Sequence, residues 1–122
     1  MTNREFGEKL EKRTKMFSIS VIKLSSSLPN SPEARVIRNQ LTKSATSIGA
    51  NYREANRSRS NNDFKNKIKI SESEANETLY WLEIIEELEW IDVIEIKAII
   101  KESTELLAIL TTISNKMKTK VN

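Results

Sequence analysis

Leu28-Pro29-Asn30-Ser31-Pro32-Glu33 opens a run that continues to Arg59 with no further proline. Ser31 can accept from a backbone N–H as a helix cap, Pro32 suits the first helical position, and Glu33 complements the positive end of the helix dipole. At about 100° per residue, Ile37, Leu41, Ser44, Ala45, Ile48, Tyr52 and Ala55 then fall on one face. A helix over about 32–59 follows.

The same periodicity extends in both directions. Upstream, Phe6, Leu10, Phe17, Val21, Leu24 and Leu28 recur at helical spacings over about 3–27, and Ile19 and Ile22 widen that apolar face. Downstream, Ser58–Asp63 is a break. A third helix over about 62–89 then turns Phe64, Ile68, Ser71, Ala75, Thr78, Leu79, Leu82 and Ile85 inward. Trp90-Ile91-Asp92 is the last break, with Asp92 as the cap. The fourth helix, over about 92–118, uses Ile96, Ile99, Ile100, Leu106, Leu107, Leu110, Ile113 and Met117, and dissolves in the tail Lys116–Asn122. Short connections make successive helices antiparallel. The expected architecture is all-α, an up-down-up-down four-helix bundle forming a single domain over 1–122.

Missing residue types narrow the chemistry. The chain has no His and no Cys. Nucleophile systems built on His or Cys, the usual zinc sites and the Glu-x-x-His pairs of di-iron bundles are therefore excluded. No run of about 18 apolar residues is present, and the N-terminus lacks the apolar segment of a signal peptide. A cytoplasmic, non-enzymatic protein without a cofactor, metal or membrane association is expected.

The formal charge of +3 conceals a segregation. Residues 1–30 carry +3, 31–60 carry +4, 61–90 carry −5 and 91–122 carry +1. On the second helix Arg35, Lys43, Arg53 and Arg57 fall within about 80° of one another, opposite Leu41 and Ile48. Arg38 lies at the edge of that stripe and Arg59 near the helix end. Such a stripe is either a solvated face, a partner for acidic helix three of another copy, or a phosphate-binding surface, for which arginine supplies a planar fork. No aromatic residue interrupts it, so phosphate contact rather than base stacking would dominate. The run Glu72, Glu74, Glu77, Glu83, Glu86, Glu87 and Glu89 reads as a charged outer face, because hard cations need convergent oxygen ligands.

Two further features bear on function. Gly49, with Ser47, Ala50, Asn51 and Glu54 beside it, costs about 1 kcal/mol in a helix interior and marks either close packing or a functional surface. Tyr80, Trp81 and Trp90 form an aromatic group in which Tyr80 and Trp81 cannot both point inward with Leu79 and Leu82, so part of the group should reach the surface as a subunit interface, extended by Ile91, Val93 and Ile94.

Three stretches carry a resemblance: Leu41–Ala55, Ser60–Phe64 and Glu74–Glu83. The Ser-Ile-x-x-Asn-x-x-Glu core, here Ser47, Ile48, Asn51 and Glu54, is followed by Asp63-Phe64 and a Glu-x-x-Tyr-Trp-Leu-Glu segment. Together they resemble the ribosomal-protein-like four-helix bundles encoded in intervening sequences of bacterial large-subunit ribosomal RNA genes. That family is similar to the accessory variability protein of diversity-generating retroelements. Gly49 stands where proline is frequent in the family. The resemblance implies a barrel-like homopentamer without enzymatic activity. For the retroelement relatives it implies basic surfaces that bind nucleic acid and a reverse transcriptase. Two functions follow for this chain: an oligomeric RNA-binding protein acting through the arginine stripe, or a protein-interaction scaffold acting through the aromatic–aliphatic surface and acidic helix three.

Overall fold

Four helices make up the chain: α1 (Asn3–Ser25), α2 (Pro32–Asn56), α3 (Asn61–Glu87) and α4 (Val93–Val121). The computed structural model describes the backbone of residues 1–121 and the side chains of residues 1–117. Each helix starts on one device, a side-chain oxygen accepting from the first turn. Thr2 Oγ1 accepts from Glu5 N, Ser31 Oγ from Ala34 N and Ser60 Oγ from Asp63 N, each at 3.1 Å. Asp92 Oδ2 accepts from Ile94 N at 3.1 Å and Glu95 N at 3.3 Å.

Helix ends fall slightly inside the limits expected from periodicity for the first three helices, and hydroxyls explain two of them. Ser25, Ser26 and Ser27 donate to the carbonyls of Ile22, Lys23 and Leu24, which closes α1. Ser58 Oγ donates to Ala55 O at 2.6 Å and ends α2 before Arg59. At the end of α3, Glu89 has φ 54°, the left-handed region usually taken by glycine. Glu89 N then donates to Glu86 O and Trp90 N to Ile85 O, satisfying the last carbonyls of α3. Helix α4 continues past Lys116 to Val121, so the helix does not dissolve where the basic tail begins. The side chains of Lys118 and Lys120 in that tail, and all of Asn122, lie outside the described residues.

Polar contacts fix an antiparallel register. Ser18 Oγ donates to Ala45 O across α1 and α2, Ser71 Oγ to Ile48 O across α2 and α3, and Lys97 pairs with Glu86 across α3 and α4. The core runs through the centre of all four helices, with Val21, Leu41, Ile48, Ile68, Leu82, Ile85, Leu106 and Leu110 wholly buried. Neighbouring helices do not pack equally: α2 and α3 meet most extensively and α1 and α4 least. Three residues expected to join the apolar face of α1 stand out in solvent. Phe6 is 41% exposed at the open α1–α4 edge, and Ile19 and Ile22 are exposed on the outer side of α1. Leu79 and Phe64 are half-buried. No described helix is long and apolar enough to cross a membrane.

Candidate nucleic-acid interface

Helix α2 carries most of the predicted basic residues, and its packing decides which of them face outward. Its inner side is filled by Leu41, Ala45, Ile48 and Tyr52, which leaves Arg35, Lys43, Arg53 and Arg57 exposed. Arg59 is exposed in the connection to α3. Arg35 and Arg59 have no hydrogen-bond or ion-pair partner among the described residues.

Arg38 departs from the stripe. Its Nε donates to Ser25 O at 3.1 Å, and its Nη2 donates to Leu28 O at 3.2 Å and Pro29 O at 3.0 Å. This half-buried guanidinium caps the carboxyl end of α1 and pins the α1–α2 connection. Its planar fork is engaged with carbonyls and not presented to a phosphate.

Arg53 and Arg57 stand one turn apart and converge on a single carboxylate of α1. Glu11 Oε1 lies 3.6 Å from Arg53 Nε and 3.3 Å from Arg57 Nη1. Asn56 Nδ2 donates to Glu11 Oε2 at 2.8 Å. Beside this cluster a groove of about 340 Å³ runs between α1 and α2, lined by Glu11, Lys15, Ser18, Thr46, Gly49, Ala50 and Arg53. Lys43 lies on the other flank of α2, near Glu74. Burial pushes the Glu74 carboxyl up, the charge of Glu77 adds to that, and Lys43 pulls it back down.

Gly49 answers to packing. A Cβ there would sit 3.0 Å from Thr14 Oγ1 and 3.3 Å from Thr14 Cβ. The missing side chain lets α1 and α2 cross closely at the point where Ser18 reaches Ala45 O. It also leaves the groove floor low.

Of the motif residues, Ser47 and Asn51 bond within α2, and Glu54 reaches across to α3. Ser47 Oγ donates to Lys43 O, and Asn51 Nδ2 to Ser47 O, both at 2.8 Å. Glu54 pairs with Lys67 at 3.2 Å across the two helices. Asp63 lies in the first turn of α3 under the Ser60 cap, and Phe64 packs against the core from a half-buried position. Ser44 and Thr78 add a buried hydroxyl pair at 2.9 Å between the same helices.

Of the aromatic group, Tyr80 is exposed, whereas Trp81 and Trp90 are half-buried against the core. Tyr80 and Trp81 meet edge to face with centroids 5.1 Å apart, and Trp81 Nε1 donates to Glu77 Oε2 at 3.1 Å. Exposed Leu88, Val93 and Ile94 lie around the α3–α4 turn. The carboxylates of α3 do not converge: no group of three or more metal-ligating side chains occurs among the described residues.

Sequence reasoning missed Glu11 and Asn56, the groups that organise Arg53 and Arg57. Helical arithmetic orders residues around one helix but says nothing of which acidic side chain a neighbouring helix offers. It also missed the ion cluster of Arg13 with Glu102 and Glu105 between α1 and α4.

The comparisons with known proteins agree on one family. No curated protein matches the chain. A crystal structure of a protein of unknown function from the S23 ribosomal protein family, from Bacteroides thetaiotaomicron, is similar: it is 38% identical, the match covers 85% of this chain and 96% of that one, and the TM-score is 0.78. The model of the 23S rRNA-intervening sequence proteins matches residues 9–112. With most of its length matched and a four-helix bundle in common, the chain belongs to the 23S rRNA-intervening sequence protein family.

Proposed function

We propose that this protein is a non-catalytic, oligomeric bundle that binds structured RNA through the basic face of α1 and α2. The observation that carries this reading is the outward placement of Lys15 on α1, of Arg35, Arg53 and Arg57 along α2 and of Arg59 just beyond it, while α3 carries more carboxylates than any other helix. Arginine matches phosphate with two parallel hydrogen bonds, and each phosphate neutralised releases counterions. The only aromatic residue of α2, Tyr52, is buried, so contact is with the sugar–phosphate backbone and RNA shape supplies selectivity. Assembly of several copies repeats the face and lets weak contacts act together.

Fluorescence anisotropy with a labelled RNA hairpin, repeated at several salt concentrations, tests the reading. Log affinity should fall linearly with log salt, and the double variant Arg53→Ala, Arg57→Ala should bind more weakly with a shallower slope. Equal affinity in the double variant would reject this face as the RNA site, and no binding by the wild type at low salt would reject RNA binding. Sedimentation of the purified protein measures the assembly.

A second reading has its own support. Ile94 is 78% exposed and lies with Val93, Leu88 and Tyr80 around the α3–α4 turn, more apolar surface than a free monomer needs. If this surface joins subunits or holds a protein partner such as a reverse transcriptase, Ile94→Ser should lower the assembled mass or release the partner. Unchanged mass and partner capture would remove it.

A further inference from the structure

We propose that Arg53, Asn56 and Arg57 form a cradle for one phosphodiester group, which Glu11 occupies from within the chain and which an RNA phosphate takes by displacing it. The choice of RNA as the phosphate source rests on the reading above; the cradle itself rests on geometry.

Three donors from a little more than one turn of α2 converge on one carboxylate. Both arginines address the same oxygen, Glu11 Oε1, and Asn56 addresses the other. Two cations thus face one anion, and Lys15 in the same groove adds a third positive charge. The arrangement differs from a committed ion pair. Arg13 grips Glu102 with two bonds of 2.6 and 2.8 Å and adds Glu105 at 2.9 Å. The contacts to Glu11 Oε1, at 3.3 and 3.6 Å, are longer and each uses one nitrogen. The remaining guanidinium N–H groups of Arg53 and Arg57 make no contact with another anion among the described residues. Glu11 itself lies deeper, with 20% of its side chain exposed against 53% for Arg53 and 65% for Arg57.

A phosphodiester carries the same single charge as Glu11 and offers two unbridged oxygens to the same forks. Its approach is open, because the groove beside the cradle has a floor of Gly49 and Ala50 and no lining side chain on that floor larger than Thr46. The displaced carboxylate has a resting place one turn along α1. Lys15 stands at i+4 from Glu11, the favourable order for such a pair.

The experiment compares wild type with Glu11→Gln and Glu11→Ala in the hairpin titration. Removing one negative charge about 6 Å from a bound phosphate should tighten binding about threefold even at a water-like dielectric. It should also steepen the salt dependence by about one phosphate. Adding Arg53→Gln and Arg57→Gln to Glu11→Gln should abolish the gain. Equal or weaker binding by both Glu11 variants, with their helical content unchanged, overturns the cradle while leaving RNA binding in place. If neither wild type nor variant binds the hairpin, the RNA reading falls and inorganic pyrophosphate decides the cradle. Movement of the Arg53 and Arg57 side-chain NMR signals at lower pyrophosphate concentration in Glu11→Gln than in wild type supports it. No movement in either protein rejects it.

Discussion

The seam between α2 and α3 and the seam between α1 and α4 are built on opposite principles. Along the first, small and hydroxyl-bearing residues let the helices approach. Ser71 donates to Ile48 O at 2.8 Å and Thr78 to Ser44 Oγ at 2.9 Å, both wholly buried, with Ala75 in the same row. Along the second, Arg13 bridges to Glu102 and Glu105, and a groove opens on either side of that cluster. One groove, of about 530 Å³, is lined by Phe6, Ile109 and Ile113 among others, and the other, of about 600 Å³, by Met16, Phe17 and Ile99 among others. A dry seam needs short side chains whose polar atoms bond across it. Long charged side chains hold helices together while keeping them apart. The fold rests on the α2–α3 seam, and α1 is the helix with freedom to give way.

The sharpest way to break that contrast is to truncate one apolar side chain in each region. Ile48 is fully buried, so Ile48→Ala removes apolar contact and leaves a cavity. It should cost about 2–5 kcal/mol in urea unfolding. Phe6 already stands in solvent over the open groove, and Phe6→Ala should cost less than about 1 kcal/mol. Similar costs at the two sites would mean that the α1–α4 edge is as closed as the α2–α3 one.

The buried hydroxyls give a smaller effect of the same kind. Ser71→Ala deletes the donor to Ile48 O but leaves that carbonyl its helical partner, so no acceptor is stranded. A loss of about 1 kcal/mol is expected. A loss well above that would show that Ser71 sets the spacing of the two helices as well as bonding across it.

Much of this contrast was legible in the sequence. Ser31-Pro32-Glu33 and Asp92 announced two helix starts, and the apolar spacing announced four amphipathic helices. The inward positions of Ser44, Ser71, Ala75 and Thr78 were readable from the 100° step, since small residues on a core stripe imply close approach. The exposure of Phe6, Ile19 and Ile22 was not, because an apolar residue on a helix says nothing of whether a neighbour reaches it. Arg38 was misplaced for a related reason. Its partners are backbone carbonyls of the α1–α2 connection, which carry no mark in the sequence. The arginine stripe was visible as a direction on α2, whereas its organiser, Glu11, belongs to another helix and became visible only with the register. Glu89 in a left-handed conformation had no glycine to signal it.

At the open seam the ion cluster should matter less than its geometry suggests. The hydrogen bonds that Arg13 donates to Glu102 chiefly hold its guanidinium above the usual range, with Glu105 assisting, so it stays charged at all accessible pH. About a third to a half of each side chain is exposed, however, and water screens the pair. Arg13→Ala should lower stability by about 0.5 kcal/mol at low salt, with the difference shrinking toward zero at about 1 M salt. Amide exchange should quicken in α1 before it does in α2 or α3. Uniform quickening across all four helices would show that α1 does not open on its own.

The smallest effect tests whether the α2–α3 seam is dry up to its edge. Glu74 lies there, and burial raises its carboxyl above the ordinary range, with Glu77 adding to the rise and Lys43 opposing it. A carboxyl that binds its proton more tightly folded than unfolded weighs against the folded state while it is ionised. That penalty is present in full above the raised folded pKa, shrinks as pH falls toward the ordinary carboxylate value, and is absent below it. Glu74→Gln removes the penalty at every pH. The variant should therefore melt slightly above wild type at pH 7, and the gap should close as the pH approaches 4. Taking the difference between the two proteins cancels whatever acid sensitivity they share. A gap that stays constant with pH would mean that glutamine gains through packing alone. No gap at any pH would place Glu74 in water, with the closed seam ending one turn short of it.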